Sequence, residues 1–435
     1  MDGSTGKDGM TAPTTIDHVT ARRVWDSRGR PTVEADVILQ NGKIGRAIAP
    51  AGASTGSGEA IDLRDGGTKL AGFDVTTALD NIKSVISPAL SGLFASDQTT
   101  VDHTLRQLDG TENKATLGGN AMIAVSMATL HAAAQQQPLW QFLLGDTAPL
   151  MPLPEIQIFG GGAHAERRVD IQDFMVMPVG ATSFTQALEW TAEVYHSAGT
   201  LLSDAGTLQG LADEGGFWPA FGSNEEALDC LVKAIERAGY TPGEEVAIAL
   251  DVAATEFFHN GRYHLALDKR EYDSDELSEL LLRWIERYPI LSIEDPFDEN
   301  DSMGMQRFTQ AVGDRIQVIG DDYLVTNARR VERAAREQAC NGLLVKPNQA
   351  GTITETRAAL DAAHHAGFST IVSARSGETE DVTIAHLAVG WSAGQIKVGS
   401  FARSERMAKW NELLRIEEMV GTSVKFAGAS ALHLD

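Results

Sequence analysis

Residues 246–251 read VAIALD, a short apolar run that stops at a charged residue, Asp251. The run has the length of a buried strand. A helix is predicted before it, because Ser223 and Glu226 have the spacing of a capping box, an apolar stripe follows at helical spacing, and Gly239 can end the segment. Helices that alternate with buried strands favour a parallel sheet, with the charged residue at the carboxyl end of its strand.

The same ending recurs through the second half of the chain. Short apolar runs stop at charged residues in ILSI before Glu294, IQVIG before Asp321, GLLV before Lys346, TIVSA before Arg375 and GQI before Lys397. In an eight-stranded α/β barrel the carboxyl ends of the strands converge on one mouth, where such enzymes keep their chemistry. An open doubly wound sheet would spread the same residues along an edge. We therefore predict an α/β (TIM-type) barrel.

The first third of the chain has a different pattern. Residues 32–39, TVEADVIL, alternate apolar and polar side chains, and Asn41-Gly42 is a strong hairpin signal. Residues 75–135 then show helical periodicity. The predicted organisation is a disordered N-terminus (1–15), a small α+β domain (16–145) and a C-terminal barrel (146–435), with PLMPLPEI (149–156) as the passage between the two domains.

Composition and charge exclude several classes of protein. The chain has 435 residues, of which 43% are hydrophobic and 22% charged, as in ordinary globular proteins. Its net charge of −24 disfavours nucleic acid, because a phosphate backbone would be repelled. The two cysteines, Cys230 and Cys340, suffice for neither a disulfide framework nor a cysteine zinc site. Without a long apolar run or a signal-peptide pattern, we expect a cytoplasmic protein with no membrane partner.

The charged strand ends suggest a metal site beside a base. Asp251, Glu294 and Asp321 are three carboxylates in the same register, the oxygen ligands that Mg²⁺ prefers. Each alone is explained as well by an ion pair or a helix cap, but three together favour a metal. Lys346 and Lys397 follow on later strands. Two ammonium groups and a metal close together would lower the pKa of a lysine, as a general base near neutral pH requires, whereas a lone lysine is more often an ion-pair partner.

The chain also resembles the enolase family, in stretches that keep their order across nearly its whole length. These are ARRVWDSRGRPTVE (21–34), GASTGSGEAIDLRDG (52–66), DEGGF (213–217), ALDVAATEF (249–257), SIEDPF (292–297), GDDYLVTN (320–327), SARSGETED (373–381), IKVG (396–399) and ARSERMAKWNELLRIEE (402–418). The resemblance implies an enolase-like fold, in which the N-terminal α+β domain caps the barrel, and a homodimer or higher homo-oligomer. Glu34 and Arg415 match positions that pair across the enolase interface.

The resemblance also implies a role for each candidate residue. Two Mg²⁺ sites are expected, the first held by Asp251, Glu294 and Asp321 and the second reached by Ser54. Lys346 would remove the proton next to the substrate carboxylate, Lys397 would bind that carboxylate, and Glu214 would protonate the departing hydroxyl, although a glutamate in such a loop can also serve only as a cap. The implied substrate contacts are His164, Gln172, Asp173, Arg375 and Ser376, the last two with the phosphoryl group. Proton abstraction there creates a dianion, which only concentrated positive charge makes accessible.

Two departures fall on the side that faces the leaving hydroxyl. Enolases usually carry histidine where this chain has Ala374, and glutamate where it has Asp173. The loop HAERRVDIQDF also adds Arg167 and Arg168, which are either solvated surface charge or contacts to an extra anionic group. The departures favour a changed substrate over a dead site, because random decay would scatter across the whole constellation.

Three functions remain open from the sequence. The first is a specialised Mg²⁺-dependent hydro-lyase that eliminates water, through an enolate, from a small anionic phosphorylated or phosphonylated relative of 2-phosphoglycerate. The second is a housekeeping enolase that tolerates both substitutions. The third is a non-catalytic enolase-like scaffold, against which the retained cluster of lysines and carboxylates counts.

Overall fold

The structure is a computed structural model, and it describes residues 14–53, 55–135, 137–165, 169–421 and 424–434. The predicted disordered N-terminus lies outside these ranges except for two residues. The carbonyl groups of Thr14 and Thr15 accept hydrogen bonds from the backbone of Ala95 and Gln40. Of the candidate site residues, Ser54, Arg167 and Arg168 lie outside the described residues.

The N-terminal part is a three-stranded antiparallel sheet covered by helices. Its strands are β1 (Ile16–Trp25), β2 (Pro31–Leu39) and β3 (Ile44–Ile48), and its helices are α1 (Thr76–Asn81), α2 (Ser87–Leu90), α3 (Gln98–Asp109), α4 (Gly119–Ala134) and α5 (Leu139–Leu144). The hairpin predicted at Asn41-Gly42 joins β2 to β3, with Gly42 in the left-handed region at φ 81°. Helix α4 lies so close to β3 that a Cβ on Gly45 would stand 2.1 Å from the carbonyl oxygen of Ala128.

Strand β2 is buried on both faces, although its sequence alternates like a strand with one exposed face. Its apolar residues belong to the core under α4. Its two acidic residues, Glu34 and Asp36, are covered by arginines of the neighbouring strands. Asp36 accepts hydrogen bonds from Arg22 and, at 2.6 Å, from Arg46 Nε. The side chains of Arg22 and Arg46 are 44% and 56% exposed, so the charge faces outward while the carboxylates stay buried.

The C-terminal part is a closed barrel of eight strands. Its strands, with the short flanking ones, are β4 (Leu150–Met151), β5 (Leu153–Gly160), β6 (Asp173–Met177), β7 (Leu208–Leu211), β8 (Phe217–Pro219), β9 (Ala247–Asp251), β10 (Phe258–His259), β11 (Arg262–Leu265), β12 (Arg270–Tyr272), β13 (Ile290–Glu294), β14 (Gln317–Gly320), β15 (Gly342–Val345), β16 (Ser369–Ser373), β17 (Gly394–Ser400) and β18 (Lys425–Phe426). The barrel order is β5-β6-β9-β13-β14-β15-β16-β17, and β17 closes it by pairing with β5.

One barrel strand departs from the predicted parallel arrangement. Strand β6 runs antiparallel to both of its neighbours, β5 and β9. Strands β5 and β6 are therefore antiparallel neighbours, which do not require the helical crossover that parallel strands require. As a result, Asp173 reaches the barrel mouth from the first position of its strand, whereas Asp251 reaches it from the last position of β9.

The helices around the barrel are α6 (Phe184–Ala205), α7 (Asn224–Arg237), α8 (Ser274–Arg287), α9 (Ser302–Val312), α10 (Ala328–Glu337), α11 (Pro347–Ala350), α12 (Ile353–His365), α13 (Thr383–Gly390) and α14 (Ser404–Val420). The predicted helix before Asp251 is α7. Ser223 caps it by accepting from the Glu226 backbone, but the Glu226 side chain bonds Gly222 instead of closing a capping box. Among the described helices, none is long and apolar enough to cross a membrane.

Two strand boundaries differ from the prediction. Strand β5 begins at Leu153, so the second half of the expected interdomain passage is the first strand of the barrel. Strand β17 continues to Ser400, because Gly399 and Ser400 go on pairing with β5. Lys397 therefore lies inside its strand and not at the end of it.

Candidate active site

The barrel mouth brings together the charged residues that the sequence analysis singled out. A cavity there is lined by Ala53, His164, Gln172, Glu214, Asp251, Lys346, Ser373, Ala374, Arg375, Ser376, Lys397 and Val398. We call Asp251, Glu294, Asp321, Lys346 and Lys397 the carboxylate side of this mouth. We call His164, Asp173, Glu214 and Ala374 its histidine side.

On the carboxylate side, each lysine is bound to the predicted metal ligands. Lys397 Nζ lies 2.9 Å from Asp251 Oδ2 and 2.8 Å from Glu294 Oε2, and Lys346 Nζ pairs with Asp321 Oδ2. All five side chains are buried. Two ammonium groups therefore neutralise part of the charge of three carboxylates inside the barrel.

The pKa of Lys346 is raised, whereas the sequence-based expectation of a lowered pKa included a bound metal. Burial lowers this pKa most, but the carboxylates of Asp321 and Glu294 together outweigh burial. Burial and the neighbouring carboxylate of Asp251 raise the pKa of Glu294 well above its usual range, although Lys397 acts in the opposite direction. A buried acid whose pKa is raised by other acids marks an excess of negative charge, which a bound cation would relieve.

The donor set fits a hard divalent cation. Glu294 Oε1 is buried and accepts no hydrogen bond from the described residues, so one ligand atom is available. Sequence reasoning missed two further acids beside it, Asp295 and Asp322. Together with Asp321 they offer three carboxylate oxygens within 4.8 Å of one another. Burial and Asp321 raise the pKa of Asp295 to about 8. Their only sequence signal was the acidic pairs Glu294-Asp295 and Asp321-Asp322 at two strand ends.

Arg375 and Ser376, the predicted contacts of the phosphoryl group, lie at the mouth and are hydrogen-bonded to other residues of the chain. Arg375 donates to both oxygens of Glu59, at 2.8 and 3.2 Å, and Arg28 donates to Ser376 Oγ at 3.3 Å. Glu59 also accepts from the backbone of Gly56, at 3.0 Å, so it links Arg375 to the loop that carries Ser54. Glu59 lies in the enolase-like stretch 52–66, but no role for it was predicted from the sequence.

On the histidine side, one imidazole lies between two carboxylates. His164 Nδ1 is 2.9 Å from Asp173 Oδ1, and His164 Nε2 is 3.9 Å from Glu214 Oε1. Asp173 also accepts from the Gln157 amide. Glu214 lies in a tight turn closed by hydrogen bonds between Ala212 and the two following glycines, 215 and 216. The three side chains are buried and offer ligand atoms within 4.8 Å of one another.

The two sides of the mouth are in contact. Lys397 Nζ lies 3.6 Å from Asp173 Oδ2, and the Gln172 amide donates to Asp251 Oδ2 at 3.0 Å. Ala374 is buried and lines the same cavity, with its backbone N–H bonded to the Lys397 carbonyl. Its methyl group contributes to the same cavity lining as His164 and Glu214.

Below the mouth, the barrel core holds a carboxylate that sequence reasoning missed. Glu155 on β5 is fully buried and is the register partner of Lys397. Neither of its carboxylate oxygens has a hydrogen-bond partner among the described residues. Burial raises the pKa of Glu155 to about 7, although Lys397 acts in the opposite direction. The sequence offered no signal, because this glutamate falls in the proline-bearing stretch expected to be a passage.

A closed α/β barrel that gathers buried carboxylates and ammonium groups at the carboxyl ends of its strands has the architecture of a barrel enzyme. Comparison with known families agrees with this class. The description "Enolase, C-terminal TIM barrel domain" matches residues 148–434, and "Enolase, N-terminal domain" matches residues 16–143. The chain belongs to the enolase family.

Proposed function

We propose that the protein is a Mg²⁺-dependent hydro-lyase that eliminates water from a 2-phosphoglycerate-like substrate through an enolate. The observation that carries this proposal is the two-sided mouth. Buried lysines and carboxylates stand on one side, a histidine held between two acids stands on the other, and Arg375 lies in the same cavity. Such a site can take a proton from one carbon and assist departure of a hydroxyl from the next.

The family resemblance supports the following roles. Lys346 is the base, Lys397 binds the substrate carboxylate, and Arg375 with Ser376 holds the phosphoryl group. Asp251, Glu294 and Asp321 hold Mg²⁺, and Ser54 contributes to a second site. A bound Mg²⁺ supplies positive charge against the dianionic enolate. The histidine side protonates the departing hydroxyl, the role that the family resemblance gives to Glu214.

The departures at Ala374 and Asp173 favour a specialised substrate. The particular relative we propose is a carboxyphosphonoenolpyruvate synthase, an enzyme of phosphinothricin-type phosphonate biosynthesis whose product carries a carboxylated phosphorus. Ala374 supports this proposal because a small side chain lines the cavity where the family usually has histidine, and Arg167 and Arg168 would supply charge for the added carboxylate. A housekeeping enolase is the alternative outcome of the test.

The test compares two substrates in the presence of Mg²⁺. Formation of the conjugated enol ester is followed by ultraviolet absorbance with 2-phosphoglycerate and with its phosphonoformyl analogue. Fast reaction only with the analogue supports the specialised function. Fast reaction with 2-phosphoglycerate identifies a housekeeping enolase, and reaction with neither overturns the proposal.

We also propose that the chain forms a homodimer through a surface that includes Glu34 of the cap and Arg415 of the barrel helix α14. In the single chain, Arg415 is 62% exposed and bonds Glu412 of the same helix at 2.8 Å, while Glu34 is covered by Arg22. Arg22 and Arg46 cover the buried acids of β2 but are themselves exposed, so their positive charge is accessible to acidic groups of a second subunit. Light scattering of the purified protein gives the mass directly, and a monomer at micromolar concentration would contradict this proposal.

A further inference from the structure

A second, larger cavity lies between the cap and the barrel, and we call it the interdomain cleft. Its volume is about 1080 Å³. The cap contributes Arg106 and the turn 110–114 to its lining, and the barrel contributes residues 325–330 and Glu355 on α12. Among the described residues, the cleft and the cavity at the barrel mouth have no lining residue in common. Since ligand sites occur preferentially at domain interfaces, the cleft is a candidate for a ligand of its own.

The interdomain cleft is positively charged in an acidic protein. Its charged lining residues are the cations Arg106, Lys114, Arg329 and Arg330 and the acids Glu112 and Glu355. Four cations minus two acids leave an excess of positive charge there, whereas the whole chain carries −24. A concave surface with one sign of charge raises the local concentration of small ions of the opposite sign.

One pair of these cations already holds an anionic oxygen between the two domains. Arg106 and Lys114 belong to the cap, and both contact Oε1 of Glu355 on the barrel, at 3.3 and 2.9 Å. The Lys114 side chain is buried, so this contact is shielded from water. A negative group in the cleft can therefore link the cap to the barrel.

The other pair, Arg329 and Arg330 at the start of α10, forms no ion pair within the described part of the chain. Arg330 lies against the cap, because a Cβ on Gly58 would stand 2.3 Å from its Nη2. Only a glycine permits so close an approach. Arg330 Nη1 donates to the Tyr323 carbonyl at 3.4 Å, and Arg329 is exposed. Since a guanidinium has five N–H donors, both arginines keep donors for a ligand.

The rest of the lining defines the chemical class of that ligand. None of the described residues that line the cleft is aromatic, so a nucleobase would find no side chain on which to stack. The apolar lining residues are small, four alanines and Val325, and offer no pocket for a hydrophobic tail. Arginine matches phosphate in particular, because its planar fork can bind two oxygens at once. Two pairs of cations therefore fit a small, non-aromatic molecule with two phosphate groups.

We propose that the interdomain cleft is a second anion site, which binds a small organic bisphosphate between the cap and the barrel. One phosphate group contacts Arg329 and Arg330. The other contacts Arg106 and Lys114, which it shares with Glu355. The proposal goes beyond the proposed function, since it involves no change of a covalent bond and no residue of the barrel mouth.

The test is calorimetric titration of the Mg²⁺-containing protein with fructose 1,6-bisphosphate. We expect one equivalent to bind to the wild type. Arg329→Gln and Arg106→Gln should each weaken binding by about tenfold, because each removes one charge-assisted contact. Fructose 6-phosphate should bind more weakly than the bisphosphate, because it has one anionic group for two pairs of cations. Thermal unfolding without the probe checks that the variants are folded.

Two further variants separate the cleft from the rest of the protein. Arg333→Gln is the matched control, because Arg333 lies on the same helix, is 48% exposed and is not part of the cleft lining. It should bind the probe as the wild type does. Arg375→Gln removes the arginine at the barrel mouth and should also leave the affinity for the probe unchanged.

The other possible outcomes would overturn the proposal. Absence of saturable binding to the wild type would exclude the site. Equal weakening in Arg329→Gln and Arg333→Gln would show general attraction to surface charge, and loss in Arg375→Gln alone would place the probe at the barrel mouth. Because binding is measured without turnover, these results do not depend on whether the proposed function is correct.

Discussion

The two sides of the barrel mouth are built in different ways. On the carboxylate side, each charge stands at or near the end of a separate parallel strand, and lysines on β17 and after β15 reach across to carboxylates on other strands. On the histidine side, His164 and Asp173 belong to one hairpin connection and the strand after it. The comparison teaches that the first side depends on the order of the whole barrel, whereas the His164–Asp173 pair of the second depends on one local segment.

Replacement of Lys346 should have the largest effect on the reaction rate, and it should impair the carboxylate side alone. Because Lys346 is the proposed base, Lys346→Met should lower both elimination and isotope exchange in D₂O at the carbon next to the carboxylate by about 10⁴-fold. Lys114→Met is the matched control, because Lys114 is a buried lysine paired with Glu355 at 2.9 Å outside the mouth. Exchange that survives in Lys346→Met would remove the assignment of the base.

The buried Glu155 in the barrel core, beneath both sides, predicts that the free energy of unfolding depends on pH. The pKa of Glu155 is raised from 4.5 to about 7 in the folded protein. Its contribution to stability is therefore present below pH 4.5 and is lost as the pH rises through 7. In urea unfolding, the advantage of Glu155→Gln over the wild type should grow by about 3 kcal/mol between pH 5 and 8.

Asp102→Asn is the matched contrast to Glu155→Gln. Asp102 is an equally buried carboxylate, but it accepts hydrogen bonds from Gln98, Ser126 and Thr354. Its replacement should destabilise the protein, because it removes acceptors for groups that are already paired. A Glu155→Gln variant whose relative stability is the same at both pH values would mean that Glu155 is not a proton-binding group in the folded protein.

The ligand assignment predicts a smaller but specific loss of metal affinity. Glu294→Gln replaces a buried carboxylate whose Oε1 has no hydrogen-bond partner among the described residues. Since changes in the outer shell of a metal site already cost 10–100-fold, loss of a ligand should weaken Mg²⁺ binding by about 100-fold in calorimetry. Glu412→Gln, at an acid outside the mouth, should bind Mg²⁺ like the wild type. Equal affinities of the two variants would exclude Glu294 as a ligand.

The smallest expected effect lies at Ala374. Ala374→His adds an imidazole to the histidine side and should raise turnover of 2-phosphoglycerate by about tenfold, because it supplies a second hydrogen-bonding group at the leaving hydroxyl. It should also slow the bulkier phosphonoformyl analogue by filling the cavity. Ala374→Gln separates volume from chemistry, since it fills similar space without an imidazole. A gain on both substrates would contradict a role of Ala374 in selectivity.

The sequence predicted the parallel part of the barrel well, because the rule for it is local. Asp251 and Glu294 end their strands, and Asp321 and Lys346 directly follow theirs, as short apolar runs before a charge indicate. The direction of β6 was missed. Alternation and length are the same for parallel and antiparallel strands, so the run after Asp173 contained no information on direction.

The partners of the site residues could not be predicted from the sequence. The contacts of Lys397 with Asp251 and Glu294 join strands that are far apart in the chain. The same holds for Glu59 with Arg375, which joins the cap to the barrel. Since the pKa of each group depends on these partners, the residue types of the site can be predicted from the sequence, but the raised pKa of Lys346 beside Asp321 cannot.

The hairpin between β5 and β6 has a consequence for how such a protein diversifies. A helical crossover cannot be exchanged without repacking the outer layer, but residues 161–172 join two neighbouring strands whose pairing is set on either side of them. Changes before Gln172 in this segment leave the strand order in place, and Gln172 itself keeps its contact with Asp251. The barrel can thus vary the side of the mouth that carries His164 through one short cassette, without a change in the strands that carry the proposed base.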